Sequence, residues 1–269
     1  MNLREIRHRA VLAVTRHLLT LRLESFVRYA WWRVGGNRGE IRIGLRDGTR
    51  MVVRAGMEDH WIVSEIFFDR QYEPPIPIPF AEFEVIVDVG ANVGYSCLWF
   101  ARVSPQAQIL AFEPLPAHIA QAEVNVSLNG LERRVDLVAA AASTASGTVI
   151  LEPAGARSAV VSEGSRHSVT VPAVDWFSRL PRGSIDLLKM DIEGAERPLL
   201  ADARFSDAAQ RIRYVVVEWH DPDAGVEEKR WCRQRLGEAG FDVVEGADYG
   251  VAGLLWGARD GDRHHMRAR

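Results

Sequence analysis

Lys189, Asp191, Glu193 and Glu196 fall within one short run, "KMDIEGAE", and Glu218 and His220 stand two apart in "VVVEWH". Carboxylates and an imidazole gathered in this way can accept a proton from a bound substrate. A base positioned for that task is worth roughly 10²–10⁴-fold in rate. His220 is the first candidate, because an ordinary imidazole pKa of about 6.5 leaves it mostly neutral near pH 7. Asp191 is the second, as base or as the group that orients it. Lys189 and Glu193 complete the candidate catalytic set. The plainer alternatives are that Lys189 is a partly buried cation paired with Glu193 or Glu196, and that Glu196 serves the N-terminus of the next helix. Asp191, Glu193 and His220 could also chelate a divalent ion. Without a further matched ligand, no metal is assigned.

A second group sits earlier, in "VIVDVGANVGYSCLWF". Five mostly apolar residues run into Asp88, a turn of small residues follows, and a helical pattern begins. Gly90 and Gly94 free the backbone to turn and to approach a ligand. A dinucleotide fingerprint would carry glycine where this chain has Asn92, which argues against a pyrophosphate and a nicotinamide oxidoreductase. Asp88 at the same lip suits a cationic amino group. Glu113 ends the next apolar segment, "QILAF", where a carboxylate can accept hydrogen bonds from both ribose hydroxyls. A ligand with ammonium, carboxylate, ribose and adenine but no phosphate meets these features, and S-adenosyl-L-methionine is such a ligand. The candidate binding residues are Asp88, Gly90, Ala91, Asn92, Gly94, Glu113, Pro114 and Asp191.

Both groups need strands to carry them to a common edge. Strands are expected at 85–87, 108–112, 135–140, 185–189 and 213–218, and helices at 95–103, 116–128 and 227–239. Segments 241–244 and 251–256 pair as an antiparallel edge. Alternation of short strands with helices implies an α/β fold, a Rossmann-like parallel sheet with helices on both faces, and such sheets bind ligands beyond the carboxyl ends of their strands. Segments 148–151 and 168–171 read as an inserted hairpin. Asn125 and Asn129 share a helix face and read as structural, with Asn129-Gly130 an ordinary helix end.

Upstream, residues 3–34 read as one helix with Leu3, Ile6, Ala10, Val14, Leu18 and Leu21 on its apolar face. Between Met1 and Val34 seven arginines face Glu5 and Glu24, so the segment carries 7 − 2 = +5. Packing on the main domain is the first reading; peripheral contact with an anionic membrane surface, or with a partner, is the other. "EIRIGLRDGTRMVVRA" is a hairpin about Asp47-Gly48. Residues 59–72 have helical spacing with Asp59 as N-cap. The division is an N-terminal helix and hairpin over 1–58, a main domain over 59–256 and a polar tail over 257–269.

The composition, 47% hydrophobic and 26% charged with a formal net charge of −3, gives no reason to expect a nucleic-acid partner. The N-terminus does not read as a signal peptide, because arginines interrupt its apolar residues. Cys97 and Cys232 read as reduced, buried thiols, and the expected compartment is cytoplasmic, with peripheral membrane association as the alternative.

The motifs "VIVDVGANVGYSCLWFA", "ILAFEP", "NVSLNG", "IDLLKMDIEGAE" and "VVVEWH", in this order, resemble the FkbM family of methyltransferases over roughly residues 60–245. The resemblance implies a seven-stranded class I methyltransferase sheet, S-adenosylmethionine as methyl donor with S-adenosylhomocysteine as product, and O-methylation of a hydroxyl on a sugar, glycan or natural product. One departure stands out: where the family commonly has Leu-Asp-Asp, this chain has Val174-Asp175-Trp176, which leaves stacking by Trp176 as one option. The non-enzymatic alternative is a cofactor-binding module without catalysis, recruited through its basic N-terminal helix.

Overall fold

The computed structural model describes residues 16–154, 157–161, 168–221 and 227–259. Its centre is a seven-stranded sheet formed by β3 (Val85–Val89), β4 (Gln108–Phe112), β5 (Val135–Val138), β10 (Ile185–Met190), β11 (Ile212–His220), β12 (Phe241–Asp248) and β13 (Ala252–Arg259). The spatial order is β12-β13-β11-β10-β3-β4-β5. β5, β4, β3, β10 and β11 run parallel, while β13 lies antiparallel between β11 and β12. The chain leaves β3 in one direction, through β4 and β5, and resumes on its other side with β10. That reversal opens a crevice at the strands' carboxyl ends.

The strands alternate between two cores. Ile86, Leu187, Tyr214 and Val216 face a core shared with helix α3 (Tyr95–Val103), and Val87, Leu188, Val215 and Val217 face the other. Helices α5 (Trp176–Arg179), α6 (Glu196–Ala201), α7 (Ala203–Ala209) and α8 (Glu227–Glu238) contribute to that second core. Period-two alternation then puts Asp88, Lys189, Glu218 and His220 on the same face as Ile86, Leu187 and Val216. Four polar side chains therefore meet at one end of an otherwise apolar face.

The N-terminal segment belongs to the first core. Leu21, Ile43, Leu45, Met51 and Val53 are continuous with Phe100 and Trp256 there. The hairpin of β1 (Glu40–Gly44) and β2 (Arg50–Arg54) is clamped from helix α4 (Pro116–Leu128). Asn125 Oδ1 accepts from the Val52 amide at 2.9 Å and Asn129 Oδ1 from the Arg50 amide at 2.8 Å.

Several expectations are corrected. The helix expected over 3–34 is interrupted: Leu21 forms a β-bridge with Leu45, Arg22 is extended, and helix α1 (Leu23–Val34) begins afterwards. Leu3, Ile6, Ala10 and Val14 lie outside the described residues. Asp59 does not cap its helix; it opens α2 (Asp59–Val63), and its buried carboxylate pairs with Arg54 at 2.9 Å. β13 runs three residues past Trp256, so Gly257–Arg259 belong to the sheet. The inserted hairpin is larger than expected. β6 (Ala141–Ser143), β7 (Gly147–Ala154), β8 (Arg157–Val161) and β9 (Val169–Asp175) form a second sheet in the order β6-β9-β7-β8. Trp176 is fully buried and packs edge-on to Phe177, while Asp175 pairs with Arg204 at 3.0 Å. Neither lines the cavity described next.

Candidate active site

A cavity of about 500 Å³ opens at the carboxyl ends of β3, β4, β10 and β11. That volume lies within the range of cofactor and small-molecule sites. One wall is the turn after β3. Another comes from segment 58–72 (α2 and the π-helical turn Ser64–Phe68 after it), and a third from Tyr249 to Ala252.

The turn is held by backbone. The Gly90 and Ala91 amides both donate to the Phe112 carbonyl, at 3.0 and 2.9 Å. Gly90 has φ +89°, and a Cβ there would lie 1.8 Å from the Asp191 carbonyl oxygen. Gly90 is thus required by the close approach of another strand end. Gly94, at φ +81°, opens α3 against Ala122, whose Cβ would lie 3.2 Å from an added one. Asn92 takes φ +50°, a left-handed conformation that asparagine tolerates. Gly90, Ala91 and Asn92 line the cavity.

Glu113 and Pro114 line the adjacent wall. Glu113 is 6% exposed. Its Oε2 accepts from the Asn92 amide at 3.0 Å and its Oε1 from the Leu115 amide at 2.9 Å, with His118 Nδ1 3.4 Å away. Oε1 faces both the Leu115 amide and His118, whereas Oε2 has room for a second donor beside the Asn92 amide, so the carboxylate can hold the turn and still receive a hydroxyl donor.

Asp88 does not stand at the lip as expected. It is fully buried, with Lys189 Nζ 3.1 Å from its Oδ1 and the Ser96 hydroxyl donating to its Oδ2 at 2.6 Å. Pleat and register bring this about, since Asp88 and Lys189 are direct partners on neighbouring parallel strands. Lys189 therefore pairs with Asp88, and at 3.6 Å with Asp191, rather than with Glu193 or Glu196. Its ammonium also donates to the Gly90 carbonyl at 2.5 Å. Burial alone would lower its pKa, but the Asp88 carboxylate holds it well above the usual lysine value.

His220 sits among four carboxylates. Its Nε2 lies 3.8 Å from Asp191, 3.4 Å from Glu193 and 3.9 Å from Glu218, and its Nδ1 lies 3.4 Å from Glu196. Burial favours the neutral ring, yet the charges of Glu196, Asp191 and Glu193 outweigh it and push the pKa up to about 10. Against the expectation of a neutral imidazole near pH 7, these surroundings favour the imidazolium. Glu196 Oε1 also accepts from the Ile192 amide at 2.7 Å, closing the turn of Glu193 (φ +56°) and Gly194 (φ +95°).

Glu218 deserves more weight than its sequence position suggested. Burial first, then the charge of Asp191, raises its carboxyl well above the ordinary range, and Gln71 Nε2 donates to it at 3.2 Å. It lines the cavity with Gln71, Tyr72 and Tyr249. Pairing across 147 residues leaves no local signal for Gln71, although the E-x-H spacing did place Glu218 beside His220. Asp191, Glu196 and His220 offer donor atoms within 4.8 Å of one another, a spacing one cation could span. A divalent ion would first have to displace the imidazole's proton.

Residues 88–243 match the family model described as the methyltransferase FkbM domain. Among curated proteins, the chain is 30% identical over 224 residues to methyltransferase sdnD of Sordaria araneosa, covering 70% of this chain and 84% of that protein. It is 30% identical over 235 residues to the 31-O-demethyl-FK506 methyltransferase FkbM of Streptomyces tacrolimicus, covering 75% and 88%. It is 27% identical over 161 residues to the 2-O-methyltransferase NoeI of Sinorhizobium fredii (strain NBRC 101917 / NGR234), covering 52% and 64%.

Proposed function

Since the chain belongs to the FkbM family of methyltransferases, we propose that it moves a methyl group from S-adenosylmethionine to a hydroxyl oxygen of a sugar, glycan or natural-product acceptor. The observation that carries this reading is the division of one cavity between two kinds of wall. Gly90–Asn92 and Glu113 form one side, a backbone turn with a single carboxylate, and Asp191, Glu193, Glu218 and His220 form the other, carboxylates around an imidazole. The names of two relatives, a 31-O-demethyl-FK506 methyltransferase and a 2-O-methyltransferase, support oxygen as the atom methylated.

The residues fit the donor. Glu113 keeps acceptor capacity for a ribose hydroxyl, and the turn at Gly90–Asn92 brings backbone, with no bulky side chain, to the cavity edge. Asp191, a quarter exposed and lining the cavity 3.6 Å from Lys189, is the carboxylate for a cationic group, the role that the fully buried Asp88 cannot take. Bound there, S-adenosylmethionine supplies an electrophilic methyl group on a sulfonium, and the protein supplies alignment and a proton acceptor. Glu218, its basicity raised by burial, receives the acceptor's hydroxyl proton in this reading. His220 stays protonated and keeps four carboxylates together around the reacting oxygen.

The test is transfer of labelled methyl from S-adenosylmethionine to a panel of sugars, glycolipids and polyketide-like alcohols, with S-adenosylhomocysteine binding measured in parallel. Labelled ether product on one acceptor class is the expected result. No binding of S-adenosylhomocysteine at millimolar concentration would overturn the reading.

A further inference from the structure

Helix α1 buries only one of its faces. Ser25, Tyr29 and Trp32, four and three residues apart, pack inward. Leu23, Val27, Trp31 and Val34 are 65%, 46%, 73% and 82% exposed, and at 100° per residue they share an arc of about 80°. Leu19, 68% exposed, stands on the helical turn before the break at Leu21. Trp61 is also exposed, and its neighbour His60 meets the Trp32 ring edge-on at 6.4 Å. A strip of this kind is more than scattered surface apolarity.

The charge around it is one-sided. Residues 16–54 hold nine arginines against Glu24, Glu40 and Asp47, 9 − 3 = +6, in a chain whose formal net charge is −3; Arg16 and Arg54 pair with Asp69 and Asp59 outside that window, which leaves 6 − 2 = +4. Arg28 and Arg33 fall on either side of the apolar arc by the same 100° spacing. Arg22, Arg28 and Arg46 donate to the carbonyls of Leu45, Arg42 and Leu18, contacts that leave their positive charge uncancelled.

We propose that this face of α1 docks on an anionic phospholipid bilayer, with Leu23, Val27, Trp31 and Val34 in the interfacial layer and the flanking arginines on lipid phosphates. An apolar strip bordered by arginine and carrying tryptophan is the composition of a helix that lies in the membrane plane. A second copy of the chain is a poorer occupant, because a twofold contact would bring arginine flank against arginine flank. Trp61 also lines the cavity, so a bilayer on this side lies beside its mouth.

Flotation of the full chain with phosphatidylcholine vesicles, with and without phosphatidylglycerol, tests the assignment. Binding to the anionic vesicles, weakened by salt, is expected. Leu23→Ser/Trp31→Ser should abolish it while leaving the melting temperature and S-adenosylhomocysteine affinity unchanged, since both side chains face solvent. Arg28→Glu/Arg33→Glu should weaken partitioning by more than about tenfold. The proposal is overturned if the wild-type chain does not float with anionic vesicles, or if the serine variant floats as well as wild type. A wild-type dimer in sedimentation that the serine variant lacks would assign the strip to self-association instead.

Discussion

Lys189 Nζ lies 3.1 Å from Asp88 Oδ1, on neighbouring parallel strands in direct register, with both side chains buried. The ammonium spans two tasks, because it also holds the Gly90 carbonyl of the turn. Lys189→Met should leave Asp88 charged and unpaired in the interior, at a cost of about 3–5 kcal/mol. Pairing it with Asp88→Asn should recover much of that loss. Urea unfolding of the two single variants and the double variant gives the coupling; additive losses would mean that the ion pair is not the source.

Gly90 and Gly94 separate in the same way. A methyl group at Gly90 would overlap the Asp191 carbonyl, whereas one at Gly94 meets Ala122 at 3.2 Å, and both have positive φ. Gly90→Ala should cost more than about 3 kcal/mol and abolish S-adenosylhomocysteine binding. Gly94→Ala should cost about 1–3 kcal/mol and keep measurable affinity. Calorimetric titration beside thermal melts distinguishes the two.

These glycines mark the limit of what could be read along the chain. Alternation of strand and helix, the order of the motifs and the residues at each strand end were legible, because period and turn chemistry are local. Asp88 was recognised as unusual but assigned to the wrong partner, since which strand lies beside β3 depends on the crossover that returns at β10. The raised pKa of His220 was not legible in the sequence for a related reason. Its ordinary pKa is a property of the residue, whereas the four surrounding carboxylates come from two strand ends, the turn after β10 and the first residue of α6. The break at Leu21 follows from a bridge to Leu45, a contact that no helical periodicity reports.

Asn125 joins three elements: it accepts from Val52, donates to the Val93 carbonyl at 2.8 Å, and is fully buried. Asn125→Ala would strand one amide and one carbonyl. A loss of about 2–4 kcal/mol is expected from two unsatisfied buried groups. Hydrogen exchange should show the Val52 amide losing protection while the amides of β10 keep theirs. Unchanged protection at Val52 would remove Asn125 from the clamp.

Glu218→Gln preserves shape and the contact with Gln71 while removing the raised carboxylate. Turnover should fall by roughly 10²–10⁴-fold with S-adenosylhomocysteine affinity nearly unchanged, as for loss of a general base. A comparable fall in cofactor affinity would make Glu218 a scaffold residue and transfer the proton-accepting role to Asp191.

The His220 pKa of about 10 fixes the sign of a pH effect. The folded state holds this proton more tightly than the unfolded chain, whose histidine titrates near about 6.5. The stabilisation is therefore fully present below about 6.5 and is lost as pH rises through about 10. Wild-type melting temperature should decline between pH 7 and 10 more steeply than that of His220→Gln. At pH 8 the variant should be the less stable protein, because Asp191, Glu193, Glu196 and Glu218 then share a site without their imidazolium. Parallel melting curves for the two proteins across the alkaline range would show that the imidazole is neutral in the folded state, and would restore His220 as the candidate base.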